Sequence, residues 1–540
     1  MATETVGALS LVPPLLAIGL AILTRRAVLS LFLGIWAGGA IYTGGLGLAQ
    51  SFDWIIAAMS TEFHATILAF VLLLGAGVAM IWNLGGSYAV RDWAITRLRT
   101  QRQAGLATWV LGMLMFFDDY ANAAIVGSTM KDVSDQLRIS REKLAYIVDS
   151  TAAPVSTLAI SSWAAFQLGL IEDAYANLGL ESAPSAVGIF IRSIPFNMYA
   201  LLALAMVGII VLTGRDYGEM LDAEHRSWRT GDVYWDDARP MQDVEGDLGD
   251  PTASDARMVN FVVPIVVLVT VTIGSAIYSG YSPDASAWEI ITGASYAPAL
   301  VYGAFAMVGT GFVLGKLYDI AGVSESTDTT IAGFGLMLTA AAILVLAWGL
   351  GEAVGALGTD AFVAGFAENT LPPAVLPALV FVLGAFIAFS TGTSWGSMSI
   401  LTPIVIPVAW QLTGSHTMIA AVVGMIFSGS IFGDHTSPIS DTSVLSATFT
   451  GADLIDHVRT QLYYASTVAV VAIGLILVWG FARVPPLALV AVGVVLLVGI
   501  VYVLSTVDAR RKGITPKAAD APQDESVPHR TTFLGSSDDD

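Results

Sequence analysis

Residues 104–130 read AGLATWVLGMLMFFDDYANAAIVGSTM, an apolar run with Phe116-Phe117-Asp118-Asp119-Tyr120 at its middle. Two adjacent acids at mid-depth do not fit a plain lipid-facing helix, because ionisable side chains inside a membrane are costly and face protein or water. The run is therefore read as a re-entrant hairpin that enters and leaves on one side. Positive charges, which collect on the cytoplasmic side, support that reading. Arg25/Arg26 and the group Arg91, Arg97, Arg99, Arg102 flank the second and third spans. Both groups are inside only if the N-terminus is outside. Were 104–130 a simple span, Lys131, Arg138, Arg141 and Lys143 would fall outside. With the hairpin they fall inside, 144–170 crosses outward and 188–213 returns.

Working outward, apolar segments lie near 6–24, 27–46, 64–84, 104–130, 144–170, 188–213, 259–280, 298–315, 331–353, 372–412, 417–450, 462–482 and 485–505. Many approach the ~20 residues that a helix needs to cross a bilayer. No Lys or Arg occurs between Leu317 and Val458. The segment 372–412 is interrupted by Ser390-Thr391-Gly392-Thr393-Ser394-Trp395-Gly396 and reads as a second hairpin, entering from outside. Segment 417–450 then crosses inward, and Arg459, Arg510, Arg511 and Lys512 land in the cytoplasm. Only Arg192 and Arg483 are left near outer helix ends.

The expected fold is an all-α polytopic membrane protein of about 11 spans and two re-entrant hairpins, built as inverted repeats with broken helices. The expected parts are N-terminal spans 1–103, a first repeat 104–213 (hairpin 104–130, broken span 144–170) and an acidic cytoplasmic loop 214–257. Connecting spans 258–371 lead to a second, inverted repeat 372–461 (hairpin 372–412, broken span 417–450). C-terminal spans 462–506 and a disordered polar acidic tail 507–540 complete the chain.

Composition agrees. The 540 residues are 55% hydrophobic and 13% charged, against about 25% charged in an ordinary soluble chain. The mean hydropathy is +0.71. A net charge of −20 excludes nucleic acid as a partner, and with no cysteine there is neither a disulfide framework nor a thiolate site. Acidity gathers outside the spans: 214–257 holds twelve acids against five arginines, and the chain ends Asp538-Asp539-Asp540. Such surfaces resemble those of halophiles, where acidic faces stay solvated.

Four polar clusters interrupt the apolar segments: Asp118-Asp119-Tyr120 with Asn122; Asp149-Ser150-Thr151-Ala152-Ala153-Pro154 with Ser161-Ser162-Trp163; Ser390 to Ser394; and Gly433-Asp434-His435-Thr436-Ser437-Pro438-Ile439-Ser440-Asp441-Thr442. Carboxylates and hydroxyls, with Gly or Pro to unwind the helix, offer the oxygen ligands that a hard cation prefers. Unwound backbone at membrane depth must line a cavity or pack inside protein. No Lys or Arg lies within the clusters, so the counter-charge must be a bound cation, a proton or helix dipoles. The expected cation and proton ligands are Asp118, Asp119, Asp149, Thr151, Thr391, Ser394, Asp434, His435, Ser437 and Asp441, with Na⁺ at Asp118 and Asp434. Pro154, Gly392, Gly396, Gly433 and Pro438 are the expected unwinding positions.

Two enzyme readings compete with transport. Gly392-Thr393-Ser394-Trp395-Gly396 matches G-x-S-x-G, with Asp434 and His435 available for a triad, but that elbow requires a strand before the serine. Tyr318-Asp319 with Gly433-Asp434 has the composition of an intramembrane aspartyl protease, yet Asp319 sits beside Lys316 at the cytoplasmic edge. With no HExxH motif and no phosphate-cradling loop, no enzyme is expected.

GDHTSPISDTSVLSA (433–447), FFDDYANAAIVGSTM (116–130) and ISREKLAYIVDSTAAPVSTLAISSW (139–163) resemble the NhaC family of sodium/proton antiporters. Residues 13–18 and STGTSWG (390–396) fit too, and the resemblance spans roughly 10–505. It implies a plasma-membrane secondary transporter. The residues themselves add a mechanism: Na⁺ and H⁺ compete for the same carboxylates as the two repeats alternate access. The family also holds carriers of organic acids and amino acids, so a Na⁺- or H⁺-coupled transporter of such a solute is the alternative. No cofactor is expected beyond the transported Na⁺ and H⁺. The expected partners are those ions and membrane lipid, with room for a homodimer.

Overall fold

The computed structural model describes residues 6–523 except 25, 87, 90–92, 94–96, 117–118, 160, 179–183, 185, 241–251, 254–256, 284, 287–288, 291–293 and 359–371. Among the described residues every regular element is helical. One peripheral group comprises α1 (Val12–Thr24), α2 (Ala27–Thr43), α3 (Leu48–Met59) and α4 (Glu62–Asn83). The centre begins with α5 (Gln101–Leu114), α6 (Asp119–Gln136), α7 (Arg141–Ser156), α8 (Ser162–Asn177), α9 (Ala186–Ser193), α10 (Met198–Thr213) and the polar α11 (Glu219–Thr230). The periphery resumes with α12 (Val259–Gly280), α13 (Tyr296–Leu317), α14 (Val323–Leu336) and α15 (Leu338–Ala356). The chain closes with α16 (Leu376–Thr391), α17 (Ser394–Thr413), α18 (His416–Thr436), α19 (Asp441–Thr450), α20 (Leu454–Ala482) and α21 (Pro486–Lys512).

Among the described residues seven helices are long and apolar enough to cross a membrane, or up to nine when two bent pairs count as spans. That is fewer than the expected eleven, for a physical reason: several apolar segments are interrupted. Segment 27–46 continues through a 117° bend into α3, and 188–213 bends by 47° between α9 and α10. Segment 331–353 divides at Met337, between α14 and α15.

Both expected hairpins fold back on themselves. In the first, Asn122 Nδ2 on α6 donates to the Gly112 carbonyl on α5 at 2.7 Å, a contact that a straight helix forbids at that separation. In the second, Ser397 Oγ on α17 donates to the Gly384 carbonyl on α16 at 3.1 Å. Gly392 makes that turn at φ +71°, a left-handed conformation that glycine enters without steric cost. At 20 residues α17 is long enough by itself to cross, more than a shallow re-entrant arm requires.

Both expected broken spans are broken, though not everywhere the glycines and prolines stand. The second parts at 437–440 between α18 and α19. Ser437 is extended there, as the residue before a proline is driven to be, and Ser440 caps α19 by accepting from the Ser443 N–H. The first parts at 157–161, not at the Asp149 cluster, and Pro154 stays inside α7. Thr157 N bonds the Ala153 and Val155 carbonyls and ends the helix there. Gly396 and Gly433 are likewise helical, within α17 and α18. The role of Gly433 is close packing: a Cβ there would lie 2.2 Å from the Ala385 carbonyl oxygen of α16.

Each hairpin packs on the broken span of its own half and also touches the other half. The return arm α6 lies on α19, in the other half of the chain, while the return arm α17 lies on α8. At the first crossing Gly127 meets Phe449; at the second Gln167 bonds Thr402 at 2.9 Å. Residues 507–523, expected as disordered tail, are folded: α21 runs to Lys512, and a 3-10 turn follows at Ala518–Asp520.

Candidate functional site

This packing brings both hairpins and both broken spans onto a buried polar network, through Tyr120 on α6 and Ser394 on α17. Asp434 lies in the last turn of α18, 1% exposed. Ser394, the first residue of α17 beyond the hairpin turn, donates to Asp434 Oδ2 at 2.7 Å. Ser440, in the break, donates to Oδ1 at 2.5 Å. The tip reaches this depth because Asp441 N bonds the Gly392 carbonyl at 3.3 Å. Among the described residues no Lys or Arg pairs with Asp434.

Asp441 begins α19. Its Oδ2 accepts from Tyr120 OH on α6 at 2.7 Å, and its Oδ1 from the Thr442 N–H at 2.9 Å. Asp149, fully buried on α7, is the most heavily bonded acid. Its Oδ2 accepts from Gln461 Nε2 at 2.6 Å and Ser443 Oγ at 3.1 Å, with His457 Nε2 at 3.3 Å. Its Oδ1 accepts from Ser446 Oγ at 3.2 Å. Ser443 Oγ also lies 3.4 Å from the Asp434 carbonyl, so all three acids belong to one connected cluster. Buried carboxylates of this kind persist where hydrogen bonds meet their lone pairs.

The other expected ligands are placed unevenly. Asp119 is fully buried at the start of α6, and Asp118 lies outside the described residues. Thr151 Oγ1 donates to the Ile147 carbonyl at 2.8 Å, and Thr391 Oγ1 to the Ile387 carbonyl at 2.8 Å. Both hydroxyls therefore serve their own helices. Ser437 Oγ donates to the Phe389 carbonyl at 2.8 Å and not to an acid. His435 Nδ1 shares a hydrogen bond with Tyr199 OH at 3.1 Å. Asn122 Oδ1, Ser390 Oγ and Gln461 Oε1 are among the buried oxygens with no hydrogen-bond partner among the described residues.

Tyr199, Ser446, His457 and Gln461 were not anticipated. Tyr199 lies in the first turn of α10, and His457 and Gln461 stand one helical turn apart on α20, so they share a face. That polar pair just before an apolar span was the available signal. The hydrolase reading ends here, because Ser394 Oγ bonds Asp434 and the Ser430 carbonyl while the His435 ring turns to Tyr199. Asp319 is exposed, unlike buried Asp434.

An all-helical membrane fold with buried acids at interrupted helices defines a secondary transporter. The chain belongs to the Na⁺/H⁺ antiporter family, which it matches over residues 155–481. It is a transporter and not an enzyme. It is 32% identical over 484 residues to a Haemophilus influenzae protein of uncharacterised function, covering 85% of this chain and 88% of that one. An uncharacterised Na⁺/H⁺ antiporter of the same organism is 31% identical over 154 residues, covering 28% and 31% of the two chains. The malate-2H⁺/Na⁺-lactate antiporter of Bacillus subtilis is 31% identical over 109 residues, covering 20% and 23%.

Proposed function

We propose that the protein exchanges Na⁺ for H⁺ across the cell membrane, with Asp434 as the central ligand. The observation that carries this reading is a buried carboxylate held by two serine hydroxyls, one from a hairpin tip and one from a helix break. A hydroxyl is both donor and acceptor. Ser394 and Ser440 donate to Asp434 in one state and turn their lone pairs to a cation in the other. Carboxylate and hydroxyl oxygens suit a hard monovalent ion. A proton replaces the cation when Na⁺ leaves, so one site gives exchange. Alternating access follows from movement of one hairpin and broken span against the other. The reciprocal contacts of α6 with α19 and of α17 with α8 support an inverted repeat for that movement.

The test uses purified protein in liposomes with a preset pH gradient and a lumenal pH dye. Added Na⁺ is expected to move protons in wild type and not in Asp434→Asn, whose shape preserves the fold. Unchanged exchange in that variant would remove Asp434 from the site. A second reading, coupled transport of a small organic acid, draws on the malate and lactate antiporter among the relatives. Silence towards Na⁺ at every pH, with Na⁺-dependent uptake of labelled dicarboxylates, would favour it.

A further inference from the structure

At the polar end of α7, away from Asp434, lies a cavity of about 510 Å³, within the size range of small-ligand sites. It is walled by residues 99–102 at the start of α5, by 136–139 between α6 and α7, by 211–214 at the end of α10, and by the C-terminal segment from Lys517 to Gln523. In a chain of net charge −20, this wall is cationic: Arg99, Arg102, Arg138 and Lys517 all line it. Lys143 also lines it, but its charge is met by Asp216 at 2.8 Å and Glu224 at 3.1 Å. The other oxygens of those acids are engaged as well, Asp216 Oδ1 by Tyr464 OH at 2.6 Å and Glu224 Oε1 by Ser140 at 2.8 Å. Asp520 is the one further acid among the described residues of the wall. Even with Arg138 set aside, Arg99, Arg102, Lys143 and Lys517 outnumber Asp216, Glu224 and Asp520 by one.

The wall is built rather than incidental. Arg138 is 6% exposed, its backbone is left-handed at φ +55°, and its Nη1 donates to the Trp228 carbonyl at 2.9 Å. Trp228 Nε1 in turn holds the Ala521 carbonyl at 2.8 Å, and His225 Nε2 lies 2.8 Å from the Thr515 carbonyl. These bonds fix the C-terminal segment as one side of the cavity. Gly105, Ile147, Val211 and Leu212 supply an apolar side, and Leu212 is 45% exposed.

We propose that this cavity binds a phosphate-bearing anion. Guanidinium groups match phosphate oxygens in pairs, and the apolar side accommodates the carbon skeleton of a phosphate ester. Both a lipid headgroup and free phosphate carry this chemistry. Since Lys143 shares the wall and stands on α7, an occupant ties the polar cap to the helix that carries Asp149.

The test compares full-length protein with Arg99→Gln/Arg102→Gln, both exposed positions, and with Arg483→Gln, which lies elsewhere. Binding of labelled inorganic phosphate is measured on delipidated protein in neutral detergent. Binding of labelled phosphatidylglycerol is measured in phosphatidylcholine nanodiscs. Melting curves confirm that each variant is folded. Saturable binding of at least one probe is expected, weakened about tenfold or more in the double variant and unchanged in Arg483→Gln. Saturation by phosphate in detergent identifies a soluble ligand; saturation by phosphatidylglycerol alone identifies the headgroup. Binding of neither probe, or equal binding in the double variant, overturns the proposal.

Discussion

Asp434 and Asp149 are both buried carboxylates, yet their donors differ in kind. Asp434 is held by two hydroxyls that can rotate, whereas Asp149 is held by an amide, an imidazole and two hydroxyls from α19 and α20. The first arrangement can change partners and the second is nearly saturated. Hydrogen bonds to charged groups contribute about 1.5–3 kcal/mol. Ser394→Ala is therefore expected to raise the apparent KM for Na⁺ about tenfold or more and to lose stability of that same order. Ser440→Ala removes the α19 N-cap as well and is expected to lose about 1 kcal/mol of stability in addition. Sodium titration of exchange, paired with melting curves, checks both, and equal melting of the two variants would contradict the capping role. The acids of this cluster were legible because an apolar run gives a carboxylate no ordinary reason to be there. Thr391 and Ser437 donate to backbone carbonyls here, as a hydroxyl in or beside a helix can. Sequence alone does not distinguish these uses.

At the scale of elements, the position of each break was harder to read than its existence. Pro154 marks α7, but one missing N–H did not unwind it, and the helix ends at Ser156. Pro438 does stand within a break, where Ser440 restarts the next helix. The glycines divide the same way. Gly392 needs its left-handed backbone, while Gly433 needs the absence of a side chain against Ala385 and Phe389. At Gly396 a Cβ would meet only Thr393 Cγ2 at 3.1 Å and Thr391 Oγ1 at 3.9 Å. Gly433→Val is accordingly expected to force α16 and α18 apart and cost at least about 1–3 kcal/mol, whereas Gly396→Ala should be tolerated. Yield of monodisperse protein and its melting temperature measure the difference, and equal behaviour would contradict the close crossing. His457 and Gln461 escaped the sequence reading because they come from α20, outside both interrupted segments. Only the packing of α20 on α7 brings them to Asp149.

On the scale of the whole molecule, the acidic segment after α10 is a folded cap, at least through Pro240. Arg226 pairs with Glu142 at 2.8 Å, and the Arg141 N–H donates to the Val233 carbonyl at 2.9 Å. The Arg239 N–H donates to Asp453 at 2.7 Å. At its centre burial pushes the Glu224 carboxyl up while Lys143 opposes that shift. Lys143→Met would leave Asp216 and Glu224 buried without their cation, a change that typically costs about 3–5 kcal/mol. A clearly lowered melting temperature is expected, and an unchanged one would show that the charges reach water.

The cap also gives the proposed orientation a direct test. The pair α16–α17 begins and ends on one side whether it is re-entrant or crosses twice, so the length of α17 leaves the side of every later segment unaltered. Positive-inside placement then puts the cap in the cytoplasm and the turn after α17 outside. The chain has no cysteine, so a single introduced thiol reports its own side without further engineering. Asp236→Cys in the cap and Gln411→Cys near the end of α17 are both exposed positions. A membrane-impermeant maleimide is expected to label Gln411→Cys in intact cells, and Asp236→Cys only after permeabilisation. The reverse pattern would invert the orientation while leaving the fold and the Asp434 site as described, because neither depends on which end faces the cytoplasm.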